Sequence, residues 1–143
     1  MVEFALVMPI LLLVLLGIMD FGRALNYWIN ETHLANQGAR WAVVNRNPGE
    51  SDSESLQQYL LKQGATSELR DIAEVCIELP DGELVGDPVV VRVNADFSFT
   101  LVDAALTIVG LEGVGDVGIS GSATMRLEAL PTKYEAGCEV LAP

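Results

Sequence analysis

One histidine, two cysteines and eight basic residues are all that this chain of 143 residues offers of the side chains from which most catalytic, metal and nucleic-acid sites are built. With His33 alone, a Ser-His-Asp or Cys-His arrangement has a single possible base, and that base lies among Thr32, Leu34 and Ala35 with no partner pattern around it. It reads as an exposed or capping imidazole. The two cysteines, Cys76 and Cys138, form no C-x-x-C pair and stand far from the histidine, so a zinc site lacks ligands. Lys plus Arg is 8 against 20 Asp plus Glu, a formal charge of −12. Such a balance repels phosphate backbones and excludes nucleic acid as a partner, and it disfavours docking of the polar part of the chain on anionic headgroups.

Other sparse patterns are equally plain. Asp81, Glu83 and Asp87 lack the D-x-[DN]-x-[DN]-G order of a calcium loop and read as solvated turn acids. Gly110, Gly113, Gly115 and Gly118 precede no helix and carry no lysine, so they are not a phosphate cradle. Asn30-Glu31-Thr32 matches a glycosylation acceptor by chance, in the middle of a helical stretch. The chain is read as non-enzymatic, with no cofactor and no metal.

What the chain has in abundance is an apolar beginning. Glu3 is followed by a run from Phe4 to Met19 with no charged side chain. Sixteen helical residues at ~1.5 Å each span ~24 Å, short of a ~30 Å hydrocarbon core. Leu25, Tyr27, Trp28 and Ile29 extend the run, and Asp20 and Arg23, three apart, can pair on one helical face. No basic residue precedes the run and no small-residue cleavage site follows it, so it reads as a retained span rather than a secretory signal. Pro9 predicts a bend or local unwinding around residues 5 to 9.

Helical spacing continues to about residue 45, with Leu25, Trp28 or Ile29, Ala35, Ala39 and Ala42 or Val43 as the apolar stripe. The division that follows is a long helix over 1–46, with a membrane or filament-core segment at about 3–28 and an amphipathic continuation at 29–46, and a small α+β head over 47–143. Asn47-Pro48-Gly49 stops the helix, and Ser51, Asp52 or Ser53 is expected to cap a helix from Glu54 to Gln63. Ser67 to Asp71 adds a turn. Strands are expected at Ala73–Leu79, at Pro88–Leu101 where Val89, Val91, Val93, Ala95, Phe97 and Phe99 alternate, and at Val117–Glu128. Leu101 to Leu111 reads as a short helix or an irregular apolar loop. The predicted architecture is α+β: a long amino-terminal helix packed on a small antiparallel sheet of three or four strands, with one or two short helices. Cys76 and Cys138 are the disulfide candidate, suited to an exported chain; two buried free thiols are the other reading.

Glu3 has two readings of its own. It is either an interfacial carboxylate favoured by the helix dipole or a carboxylate buried between packed helices and neutralised by a neighbour.

The string VEFALVMPILLLVLLGIMDFGRALNYW resembles the start of TadE-like pilins and pseudopilins of the tight-adherence (Tad) pilus system, related to type IV pili. Glu3-Phe4, Pro9, Asp20 and Phe21-Gly22-Arg23 carry the likeness, which THLANQGARWAVVNR and, more weakly, SATMRLE extend. One departure stands: the family's glutamate is typically fifth in the mature chain, and here it is third. The resemblance implies cleavage by a prepilin peptidase, storage in the bacterial inner membrane and insertion into a surface filament by the pilus assembly machinery. It also implies that Glu3 pairs with the terminal amine of an adjacent subunit. Partners would then be copies of the chain or other pilins, with Glu3, Phe4, Leu6, Ile10, Leu13 and Leu16 as the assembly residues. The alternative is a permanently anchored envelope module that binds another protein.

Overall fold

The computed structural model describes residues 2–50, 53–108, 110–113 and 115–141, with the side chains of 2–6 outside the description. Helix α1 (Val2–Val43) is followed by α2 (Leu56–Lys62), α3 (Ser67–Ile72), β1 (Glu74–Glu78), β2 (Pro88–Ser98), α4 (Thr100–Ile108), β3 (Asp116–Arg126) and β4 (Gly137–Val140). The architecture is α+β: a long apolar amino-terminal helix packed on a small antiparallel sheet, with short helices beside it. The strands lie in the order β3-β2-β1-β4, each antiparallel to its neighbour.

Strand β2 organises the core because its pattern has period two. Val89, Val91, Val93, Ala95 and Phe97 are buried on one face, while Arg92 and Asp96 on the other face solvent. The inner face is covered by the second half of α1 and by α2, whose Leu56, Leu60 and Leu61 are buried. Tyr27 of α1 stands edge-on to Phe97 at 5.4 Å between ring centroids, which anchors the helix to β2.

The stripe by which α1 meets the sheet differs from the expected one. Leu25, Trp28 and Ile29 are exposed; Tyr27, Leu34, Ala35, Ala39, Ala42 and Val43 are buried, with Asp20 and Glu31 on the same face. Two acids inside the buried stripe disguise its period, and the apolar residues opposite supply a competing one. Contact is close. A methyl group added at Gly121 of β3 would lie 2.4 Å from the Thr32 backbone nitrogen and 2.5 Å from the Glu31 carbonyl carbon, so the α1 backbone rests on this glycine.

Other corrections are local. The helix continues through Pro9 without local unwinding; the ring removes one hydrogen bond, to the carbonyl four residues earlier. Ser55, not an earlier residue, caps α2, its hydroxyl accepting from the Gln58 N–H at 3.1 Å. Ser51 and Asp52 lie outside the described residues, and Ser53 sits at φ 59° before the cap. The segment 101–111 begins as helix: α4 ends in a left-handed Gly110 (φ 79°), with the Gly110 N–H bonded to Thr107 O and the Leu111 N–H to Leu106 O.

Strand β4 has four residues and no alternating pattern. It is held to β1 by the disulfide, in which Cys76 and Cys138 are directly opposed partners with Cα atoms 4.0 Å apart. The bond lies on the outer face of the sheet, where Cys76 also neighbours Arg92 of β2.

Candidate functional site

The feature with no use inside this fold is the first half of α1. From Val7 to Met19 none of its side chains is buried, and Ile10, Ile18 and Met19 are 68%, 63% and 63% exposed. The apolar surface surrounds the helix there. Beyond Asp20 it narrows to a stripe facing away from the head, formed by Phe21, Leu25, Trp28 and Ile29. These four recur at helical spacing, and their exposed role was hidden because the same spacing fits a core-facing stripe. One continuous helix thus changes from all-round apolar exposure to one-sided burial at Asp20.

That change is built from polar contacts. Asp20 is wholly buried, and its Oδ2 accepts from the Leu101 N–H at 3.0 Å and the Val102 N–H at 2.9 Å. It therefore caps α4 from a distance of eighty-one positions in sequence. Its Oδ1 lies 3.3 Å from Arg23 Nη1. Arg23 also donates to Thr100 Oγ1 at 2.7 Å and to Glu68 Oε1 at 3.2 Å, with its guanidinium 5.5 Å from the Phe97 ring centroid. Asp20 and Arg23 are three residues apart as a helix pair, yet most of their bonds go elsewhere. A sequence pattern carries no sign of the Leu101 and Val102 N–H groups as the donors to Asp20.

From this cap α4 descends beside α1 toward its amino terminus. Between them lies an apolar groove of about 450 Å³, lined by Pro9, Ile10, Leu13 and Leu16 of α1 and by Leu106 and Ile108. Three residues expected to meet neighbouring subunits, Ile10, Leu13 and Leu16, thus share a groove with α4. The side chains of Glu3, Phe4 and Leu6 lie outside the described residues.

Residues 1–40 match the family described as TadE-like protein. The amino-terminal helix is TadE-like. No curated protein and no solved structure matches the chain. The match over these forty residues suggests a membrane protein related to the Tad pilus, and the apolar half of α1 suits membrane anchoring.

The remaining polar groups lie on the second half of α1 and on the head. His33 is exposed beside Asn36, Gln37 and Arg40. Asp81 and Glu83 are exposed, and Asp87 holds its own turn, Oδ2 accepting from the Leu84 N–H at 3.0 Å. The Glu74 carboxylate lies within 4.8 Å of both sulfurs, but these are bonded to each other and offer no thiolate. Asn30 donates to the Asn26 carbonyl one turn back. Glu31, within the Asn30-Glu31-Thr32 motif, is the most anomalous polar group on the sheet-facing side of α1. It is fully buried, neither carboxylate oxygen has a hydrogen-bond partner among the described residues, and burial pushes its pKa up from 4.5 to about 7.

Proposed function

We propose that this chain is a pilin or minor pilin: a structural subunit of a surface pilus, held in the bacterial inner membrane by α1 until it joins a filament. The observation that carries the reading is the exposure pattern of α1. Its first half presents apolar side chains in every direction, and a water-soluble monomer has no means of covering them. Lipid covers them before assembly. Afterwards helix–helix contacts must replace that burial, since each exposed leucine or isoleucine forfeits ~1.5–3 kcal/mol when left in water. The stripe Phe21, Leu25, Trp28 and Ile29 continues the same surface past the head, giving neighbouring helices a path along it.

In this reading Glu3 sits at the entrance of the apolar segment, where its charge needs a positive partner, supplied by the terminal amine of an adjacent subunit as the family resemblance implies. A prepilin peptidase and the Tad assembly machinery are the partners that the same resemblance brings. The test is the filament yield of Glu3→Ala in sheared surface material, counted by negative-stain microscopy. A pilin loses filaments while its membrane-fraction level persists. Normal yield from that variant would overturn the proposal in favour of a permanently anchored interaction module.

A further inference from the structure

We infer that α4, with Leu111 beyond it, is a second membrane-inserting element, dipping into the head-side leaflet beside α1; this rests on α1 being held in a bilayer. Its occupant is lipid, and four observations point there. None of the residues of α4 is buried, although the helix is apolar: Ile108 is 88% exposed, and Leu111 beyond its end is 60% exposed. A loop between two core strands has no need of such residues in water, because β2 and β3 are already paired from Ser98 and Asp116 outward.

The second observation is depth. Starting from Asp20, α4 runs ~13 Å at ~1.5 Å per residue and brings Ile108 and Leu111 to the groove shared with Pro9, Ile10 and Leu13. That is the level of α1 where no described side chain is buried by protein. The exposed surface of α4 is therefore continuous with the lipid-facing surface of α1.

Third, the α4 backbone is prepared for a dry environment at both ends. Asp20 Oδ2 satisfies the Leu101 and Val102 N–H groups, and the Gly110 turn satisfies the carbonyls of Leu106 and Thr107. A helix end without such partners is costly where water is absent. Fourth, the carboxylates of the excursion bound its depth. Asp103 is on the first turn, with its carboxylate 2.8 Å from where a Gly113 side chain would begin, and Glu112 is exposed on the return limb. Both place the return limb nearer the headgroups than Ile108. The acidic head, at −12 overall, stays off the surface while this one apolar wedge enters it.

The test is site-directed nitroxide labelling of the full chain in phosphatidylcholine bilayers. Single thiols are introduced as Leu15→Cys, Ile108→Cys, Leu111→Cys and Leu84→Cys; all four positions are exposed, and the native cysteines are bonded to each other and do not label. Oxygen partitions into the acyl region and a nickel chelate stays in water. Ile108→Cys and Leu111→Cys are expected to match Leu15→Cys, with nickel accessibility several-fold below that of Leu84→Cys and oxygen accessibility above it. Nickel accessibility at 108 and 111 equal to that at 84, with Leu15→Cys in lipid, would overturn the inference and leave the membrane reading standing. Water access at position 15 as well would overturn both. Low access to both reagents at 108 and 111 would show protein, such as a second copy, covering the wedge, and would also overturn it.

Discussion

Replacing Glu31 by glutamine is expected to stabilise the head at pH 8 and to leave it unchanged, relative to the native chain, at pH 4. Glu31 lies wholly buried where the backbone of α1 presses on Gly121, with no donor for either oxygen among the described residues. Burial raises its pKa from 4.5 to about 7. A carboxyl whose pKa is raised by folding binds its proton more tightly in the folded state. Its favourable contribution is therefore complete below pH 4.5 and is lost as pH rises through 7. At ~1.4 kcal/mol per tenfold change in proton affinity, the loss amounts to about 3 kcal/mol at pH 8. Glutamine has the same shape and no proton to lose. The assay is denaturant unfolding of both proteins in detergent micelles from pH 4 to pH 8.5, reading the difference between them. Other acids titrate in both chains and cancel. A difference that stays flat across this range would refute the reasoning, because it would mean that Glu31 is solvated or paired in the folded protein.

Three further outcomes follow from the packing. Gly121→Ala is expected to push α1 off β3 and cost about 2–3 kcal/mol, read as a lowered unfolding midpoint, because the new methyl meets backbone atoms that cannot rotate away. Asp20→Ala is expected to uncap α4 at a cost of ~1–2 kcal/mol; faster amide exchange at Leu101 and Val102, with β2 still protected, is the specific signature. Reduction of the Cys76–Cys138 bond, which spans 62 residues, is expected to destabilise the head by ~4 kcal/mol on the chain-entropy account. Unfolding with and without reductant measures it, and β4 is the strand expected to lose protection first.

The contrast between what patterns reveal and what they hide is clear from particular residues. The alternation Val89 to Phe97 identifies a half-buried strand because each of its side chains obeys one local rule, and the strand spans 88–98. The apolar run after Glu3 is legible for the same reason. The sheet-facing stripe of α1 is legible at Ala35, Ala39, Ala42 and Val43 but not before them, since Asp20 and Glu31 occupy buried positions that a hydrophobic pattern assigns to solvent. Strand β4 is too short for periodicity and depends on its partner β1 and the disulfide. The cap that joins Asp20 to Leu101 and Val102 is purely tertiary: an acid beside an arginine one turn away looks complete within its own helix. In each case the missing information was a contact between residues far apart in sequence, and such contacts override local preference.

The central claim is that one helix serves lipid first and a bundle of its own kind afterwards. The most direct measurement is mass spectrometry of filaments sheared from the surface of cells that make this chain. The chain is expected within purified filaments, with peptides from the apolar half of α1 intact and joined to the head. Filaments that lack it, with the chain confined to the membrane fraction, would contradict the account.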